Sequence, residues 1–258
     1  MILSYAHLLD ILTIHWHVVL FFFIIAALYS SVGFGGGSSY LAILSLTGIA
    51  YIEIRSIALL CNIIVVTGNV ILFHRQQCYN WSKILPLVLF SVPMAFMGGY
   101  LKVNQTFFFI LLGITLLFAS ITMWLSKKEV NKYANSPLSF VKNASYGSCI
   151  GFISGMVGIG GGIFLAPLLH LTNWDSSKKI AATASFFILV NSLSGLAGQY
   201  ANPLFKINWD LTIILLVTVF MGGQIGSRTG SFFTSTQLKR ATAILIASVS
   251  MKILWKYL

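Results

Sequence analysis

The chain has 258 residues, 57% of them hydrophobic and only 8% charged, and a mean hydropathy of +0.89. A soluble domain carries roughly a quarter of its residues as charges on its surface, so the bilayer must act as solvent for most of this one. The net charge of +11 would suit a polyanion, but the basic residues lie between apolar segments, as in membrane proteins oriented by positive loops, which excludes nucleic acid as a partner.

The N-terminus has no basic leader, and the apolar run from Val18 is followed by glycines instead of a small-residue cleavage site. It reads as a retained first membrane segment. Ten apolar segments are expected, near 15–34, 38–50, 55–73, 82–101, 105–125, 144–159, 162–173, 179–199, 209–228 and 237–256. Most have about the 20 residues a helix needs to cross a bilayer. The exceptions, 38–50 and 162–173, are short, and each follows a glycine cluster. A longer loop, Ser126 to Asn143, carries Lys127, Lys128, Lys132 and Lys142 and divides the chain. Cys61, Cys78 and Cys149 form no disulfide or zinc pattern and read as small hydrophobes.

The halves on either side of that loop repeat. Gly33-Phe-Gly-Gly-Gly-Ser-Ser-Tyr-Leu-Ala-Ile-Leu matches Gly158-Ile-Gly-Gly-Gly-Ile-Phe-Leu-Ala-Pro-Leu-Leu, and Asn80-Trp81 matches Asn208-Trp209. Segment lengths recur in order, as in secondary transporter folds. The expected architecture is one all-α polytopic transmembrane domain over 1–258, with repeats at about 15–125 and 144–256 and a loop at 126–143. An odd number of crossings per half inverts the second repeat; fusing each long–short pair into one broken span makes the repeats parallel, and both remain open. With alternating sides, 11 Lys and Arg collect on one face, Arg75, Lys83 and the 126–143 lysines among them. Five collect on the other: Arg55, Lys102, Lys206, Lys252 and Lys256. The first face is then cytoplasmic and both termini are outside.

The glycine clusters are where chemistry is expected. Unwound backbone at membrane depth survives only where it is buried in protein or lines a cavity. The short helix after each cluster would present free N–H groups and a positive dipole end, which makes an anion site without a charged side chain. The candidate residues are Gly35, Gly36 and Gly37 with the hydroxyls of Ser38 and Ser39, and Gly160, Gly161 and Gly162 in the second copy. Neither cluster fits a nucleotide loop, so a gradient or a partner would supply the driving force. Polar residues inside apolar runs extend the set. Asn62 and Asn69 lie in the third segment; Thr183, Ser185, Asn191, Ser192 and Gln199 lie in the corresponding eighth. Interhelical hydrogen bonding is the competing role for each.

The doubled glycine motif, with Ala182-Thr-Ala-Ser185 in the following helix, resembles the sulfite exporter TauE/SafE family over nearly the whole chain. The first copy departs from the second: Ala42 stands where Pro167 does, and Ser38-Ser39 replace apolar residues. The resemblance implies an inner-membrane permease for a sulfur-containing anion such as sulfite, an organosulfonate or thiosulfate.

The remaining features are assigned on position. Pro167 is expected to kink the second short helix, and Arg228 to snorkel at the end of the ninth segment. The series Gly147, Gly151, Gly155 and Gly222, Gly226, Gly230 read as close helix packing. His7 and His74 read as loop residues, His15 and His17 as an interface anchor, and His170 as a candidate for proton movement. Asp10, Glu53, Glu129, Asp175 and Asp210 lie at segment ends or in loops, which favours an anion as cargo. An anion channel is the alternative function. An intramembrane enzyme is less favoured, because the chain has no GxSxG or HExxH motif and no intramembrane Asp pair. The expected partners are a small anion, the lipid bilayer and a homo-oligomeric copy; no cofactor is expected.

Overall fold

The computed structural model describes residues 5–31, 33–125, 140–172, 174–229 and 235–258. Among the described residues the chain is all-α, with ten helices and no strand. The first half holds α1 (Tyr5–Ser31), α2 (Gly37–Leu44), α3 (Tyr51–Arg75), α4 (Trp81–Tyr100) and α5 (Gln105–Leu125). The second holds α6 (Phe140–Val157), α7 (Gly162–Leu171), α8 (Ser177–Tyr200), α9 (Trp209–Thr229) and α10 (Ser235–Tyr257). Six of these, α1, α3, α4, α5, α8 and α9, contain stretches long and apolar enough to cross a membrane. The chain is a multi-pass membrane protein.

Several boundaries differ from the sequence reading. α1 begins at Tyr5, ahead of the expected apolar segment; it is kinked at His15 (φ −109°, ψ 17°), and its apolar span, Thr13–Ser31, starts where that segment was expected. α2 stops at Leu44, not near 50. There the Ser45 and Thr47 hydroxyls each donate at 2.7 Å to the Ala42 and Leu44 carbonyls, and Gly48 (φ 77°) turns the chain. His7 belongs to α1 and His74 to the last turn of α3, so neither is a loop residue. Residues 140–143 of the expected loop are helical; 126–139 lie outside the described residues. Pro167 does not end α7, which runs unbroken through it. Cys149 is exposed on α6, unlike the buried Cys61 and Cys78.

Glycine sets the helix packing. Gly147, Gly151 and Gly155 of α6 lie against the backbones of Leu87, Ser91 and Ala95 of α4, in ascending order, so the two helices run parallel. Gly222 and Gly226 of α9 meet Phe23 and Ala27 of α1 in the same sense. A Cβ on any of these five would overlap a carbonyl oxygen of the neighbouring helix, which is the close packing expected of both series; Gly230 lies outside the described residues. α4 and α8 are parallel too: Lys83 pairs with Asp175 just before α8, Ser194 donates to Val92, and Asn202 just after α8 donates to Tyr100. Two further pairs are antiparallel. Ser56 of α3 bonds Gln199 of α8 while Leu59 meets Gly195. Ser120 of α5 donates to Ala243 of α10 while Ser250 donates back to Gly113. Exchanging the first five helices for the second five turns the α1–α9 pair into α6–α4. It maps α3–α8 and α5–α10 onto themselves.

Candidate functional site

Each half has a glycine turn between its first long helix and its short one. Past the end of α1 at Ser31, Gly33 is left-handed (φ 86°) and the Phe34 N–H donates back to the Tyr29 carbonyl at 2.9 Å. α6 ends the same way at Gly158 (φ 89°), with the Ile159 N–H on the Ser154 carbonyl at 3.1 Å. A left-handed residue closing a six-residue loop is how glycine stops a helix. Three residues later each turn is left-handed at the glycine that caps the short helix, Gly36 (φ 83°) for α2 and Gly161 (φ 84°) for α7; the second turn is left-handed at Gly160 (φ 78°) as well. Having no side chain, the capping glycines give no side-chain cap to the first N–H groups of either helix. Gly35 to Gly37, Ser38, Ser39 and Gly160 to Gly162 are all buried, so both turns lie inside the bundle.

Asn62, 1% exposed on α3, ties the turns together. Its Nδ2 donates to the Ile159 carbonyl of the second turn at 2.9 Å. Its amide also lies so close to the first turn that a Cβ on Gly35 or Gly37 would overlap it. Ser192 of α8 joins the group, since a Cβ on Gly160 would lie 2.6 Å from its Oγ. Ser185 donates across to the Gly33 carbonyl and to Ala181 in its own helix at 2.9 Å. Asn69 donates to the Phe34 carbonyl at 3.5 Å and accepts from Ser30 at 3.2 Å.

The other expected residues sit less centrally. Ser39 shares a 2.9 Å hydrogen bond with the Tyr29 hydroxyl. Asn191 donates to Phe187 one turn back in α8 at 2.8 Å, an intrahelical bond. Thr183 is buried with no partner for its Oγ1. Buried polar atoms are normally satisfied. Here the oxygens of Asn62, Asn191, Thr183, Ser192 and Tyr40 all lack a partner. Tyr40 stacks on Phe22 at 4.6 Å, and a Cβ on Gly36 would lie 3.2 Å from its hydroxyl. Of the acids, Glu53 and Asp210 sit in first helical turns and Asp175 between α7 and α8.

Asp175 fastens the starts of α4 and α8. Its carboxylate lies 3.1 Å from Lys83 of α4 and 3.7 Å from Lys179 of α8. Partial burial opposes its charge, but the Ser176 N–H, the Lys83 hydrogen bond and both lysine charges outweigh this, so it titrates below the usual carboxylate range.

One buried charge escaped the sequence reading. Arg55 stands near the boundary of an apolar run, which reads as a loop position, yet it is 4% exposed within α3. Its signal was weak but real, a lone cation only seven residues before Asn62 in an apolar segment. Arg228, by contrast, is exposed, as a snorkelling residue should be.

Long apolar helices around two buried, broken turns suit a polytopic membrane transporter. The family model described as "Sulfite exporter TauE/SafE" matches residues 18–253, and the chain belongs to that family. It is 30% identical over 244 residues to the "Probable membrane transporter protein y4hK" of Sinorhizobium fredii, covering 91% of this chain and 96% of the relative. It is 25% identical over 208 residues to the "Probable membrane transporter protein YunE" of Bacillus subtilis, covering 71% and 76%. No solved structure matches. A transporter of this class works on a small-molecule substrate within membrane lipid.

Proposed function

We propose that the chain is a secondary permease for a small anion, a sulfur-containing one such as sulfite, an organosulfonate or thiosulfate, held between the two glycine turns. The observation that carries this reading is the pair of buried turns, each opening a short helix at an uncapped left-handed glycine and joined through Asn62. Such helix starts attract anions through their N–H groups and dipole. The unpartnered hydroxyls of Ser192, Thr183 and Tyr40 are further donors. Burial of both turns favours a carrier over an open channel, because an ion reaches them only after helices separate. The sulfur chemistry rests on the family's description.

The halves 15–125 and 144–256 are inverted repeats in this reading, supported by the antiparallel course of α3–α8 and α5–α10. The membrane is the inner (plasma) membrane, with the 126–143 loop cytoplasmic and both termini outside. The test is uptake of radiolabelled sulfite, thiosulfate and taurine by proteoliposomes, with Gly161→Leu as control. Saturable flux of one of them, lost in the variant, is expected. Folded protein that moves none of the three would end the sulfur-anion assignment.

A further inference from the structure

We infer that Arg55 and Gln199 form a second anion-binding site, at the mouth of the cleft beside the second glycine turn. The cleft is lined by Tyr51, Arg55, Lys102, Gln199 and Asn202 among others, and no lining residue is acidic. In this structure it is about 20 Å³, room for one water-sized group or one oxygen of an oxyanion.

Arg55 carries a charge that its surroundings hold without neutralising. Nη2 points at the carbonyls of Gly98 and Gly99, both at 3.4 Å, and of Gly155 at 3.2 Å. These carbonyls lie in the last turns of α4 and α6, where helical partners run out. Nε has no partner, and no carboxylate pairs with the guanidinium among the described residues. A buried arginine normally ends on a carboxylate, and an unpaired one is costly. Nε is thus a free donor on a positively charged group that lines the cleft, which is suited to one oxygen of an oxyanion.

Gln199 supplies an independent second donor. Its Oε1 accepts from Ser56, the residue next to Arg55, at 2.8 Å. That bond fixes the amide with Nε2 as the remaining donor, and Nε2 is buried without a partner. Asn202 is already held, one N–H of its Nδ2 donating to the Tyr100 carbonyl and its Oδ1 accepting from the Leu204 N–H. Lys102 at the rim raises the local positive potential. The backbone of Arg55 abuts Gly158, where a Cβ would lie 3.1 Å from the Arg55 Cα, so an anion held here waits next to the turn that opens α7.

The site rests on the reading of the protein as an anion permease, and two measurements separate the two. The first is thermal melting of purified protein with sulfite or thiosulfate, at ionic strength fixed with chloride. Both anions should stabilise the wild type, Arg55→Lys should lose part of that response, and Arg55→Gln and Gln199→Glu should keep only the part that the glycine-turn site contributes. Gln199→Glu places a carboxylate on the cleft that Arg55 lines, so it decides the matter even if Arg55→Gln fails to fold. A wild type indifferent to both anions, or variants that respond as it does, would overturn the site. The second is uptake in proteoliposomes, where Gln199→Glu should raise the half-saturating concentration about tenfold or more with the maximal rate retained. Unchanged half-saturation with normal flux would overturn the site and leave the permease standing. Arg55-dependent stabilisation without flux of either anion would support the site and sink the transport reading.

Discussion

At Gly36 and Gly161 the backbone is left-handed, and a side chain there is strained whatever space surrounds it. Gly161→Ala should cost about 1–2 kcal/mol of stability from conformation alone. It also brings a methyl to 2.8 Å from the Phe187 ring and tilts the start of α7, so transport should fall further than the melting temperature suggests. Asn62 tests the site differently. Its alanine variant loses one interhelical hydrogen bond, worth only about 0.6 kcal/mol in a membrane protein. If Asn62 only glues helices, flux will track that small loss. If it positions the second turn for substrate, flux should drop by about tenfold or more in protein that still runs as a monodisperse species. The glycine turns were legible in sequence because they occur twice at the same spacing. Ser192 was visible as a polar residue, but nothing in the spacing singled it out from its neighbour Asn191, which turns inward on its own helix. Arg55 was not legible as a site residue, because hydropathy gives a residue's place along a segment and not what surrounds it.

Among the helices, small-residue seams control assembly. Gly155→Val would drive a branched side chain into the Ala95 carbonyl of α4, and Gly226→Val would do the same at Ala27 of α1. Each should lower thermal stability by about 1–3 kcal/mol or force the pair apart. Similar losses for the two, measured by detergent melting, would match their equivalent places in the parallel pairs. The seams were readable as four-residue spacings, but their partners were not, since no local pattern says which helix a glycine faces. Helix lengths came through well where apolar runs were unbroken. At α1 the apolar span Thr13–Ser31 was legible, while the helical residues before the kink at His15 were not, because Asp10, His15 and His17 interrupt the apolar pattern there. At the other end of α4, the Asp175 clamp gives a pH signature. Its carboxyl titrates lower in the folded chain than when unfolded, so its contribution is complete above the unfolded pKa, about 3.9, and disappears as pH falls through the lower folded value. Melting temperature should show no Asp175 component between pH 7 and 5 and a loss beginning below about pH 4, absent in Asp175→Asn. A wild type and variant with the same acid profile would show that the lysines at 3.1 and 3.7 Å contribute nothing measurable.

For the molecule as a whole, orientation is the first thing to measure. With both termini outside, alkaline phosphatase fused after Leu258 should be active and a fluorescent protein at the same place dark. The reverse result would invert the topology and place the Arg55 cleft on the cytoplasmic side. The arrangement of pairs also bears on how the protein is made. α1 takes its most extensive neighbour, α9, from the other half, and α4 takes α6. A ribosome releases the first five helices before either neighbour exists, so the seam faces around Ala27 and Ala95 must wait, exposed to lipid or to an insertase. Truncation after residue 125 should therefore give a fragment that membrane proteases clear. Co-expression of the missing half should rescue it, making the nascent chain's own second half the chaperone of its first.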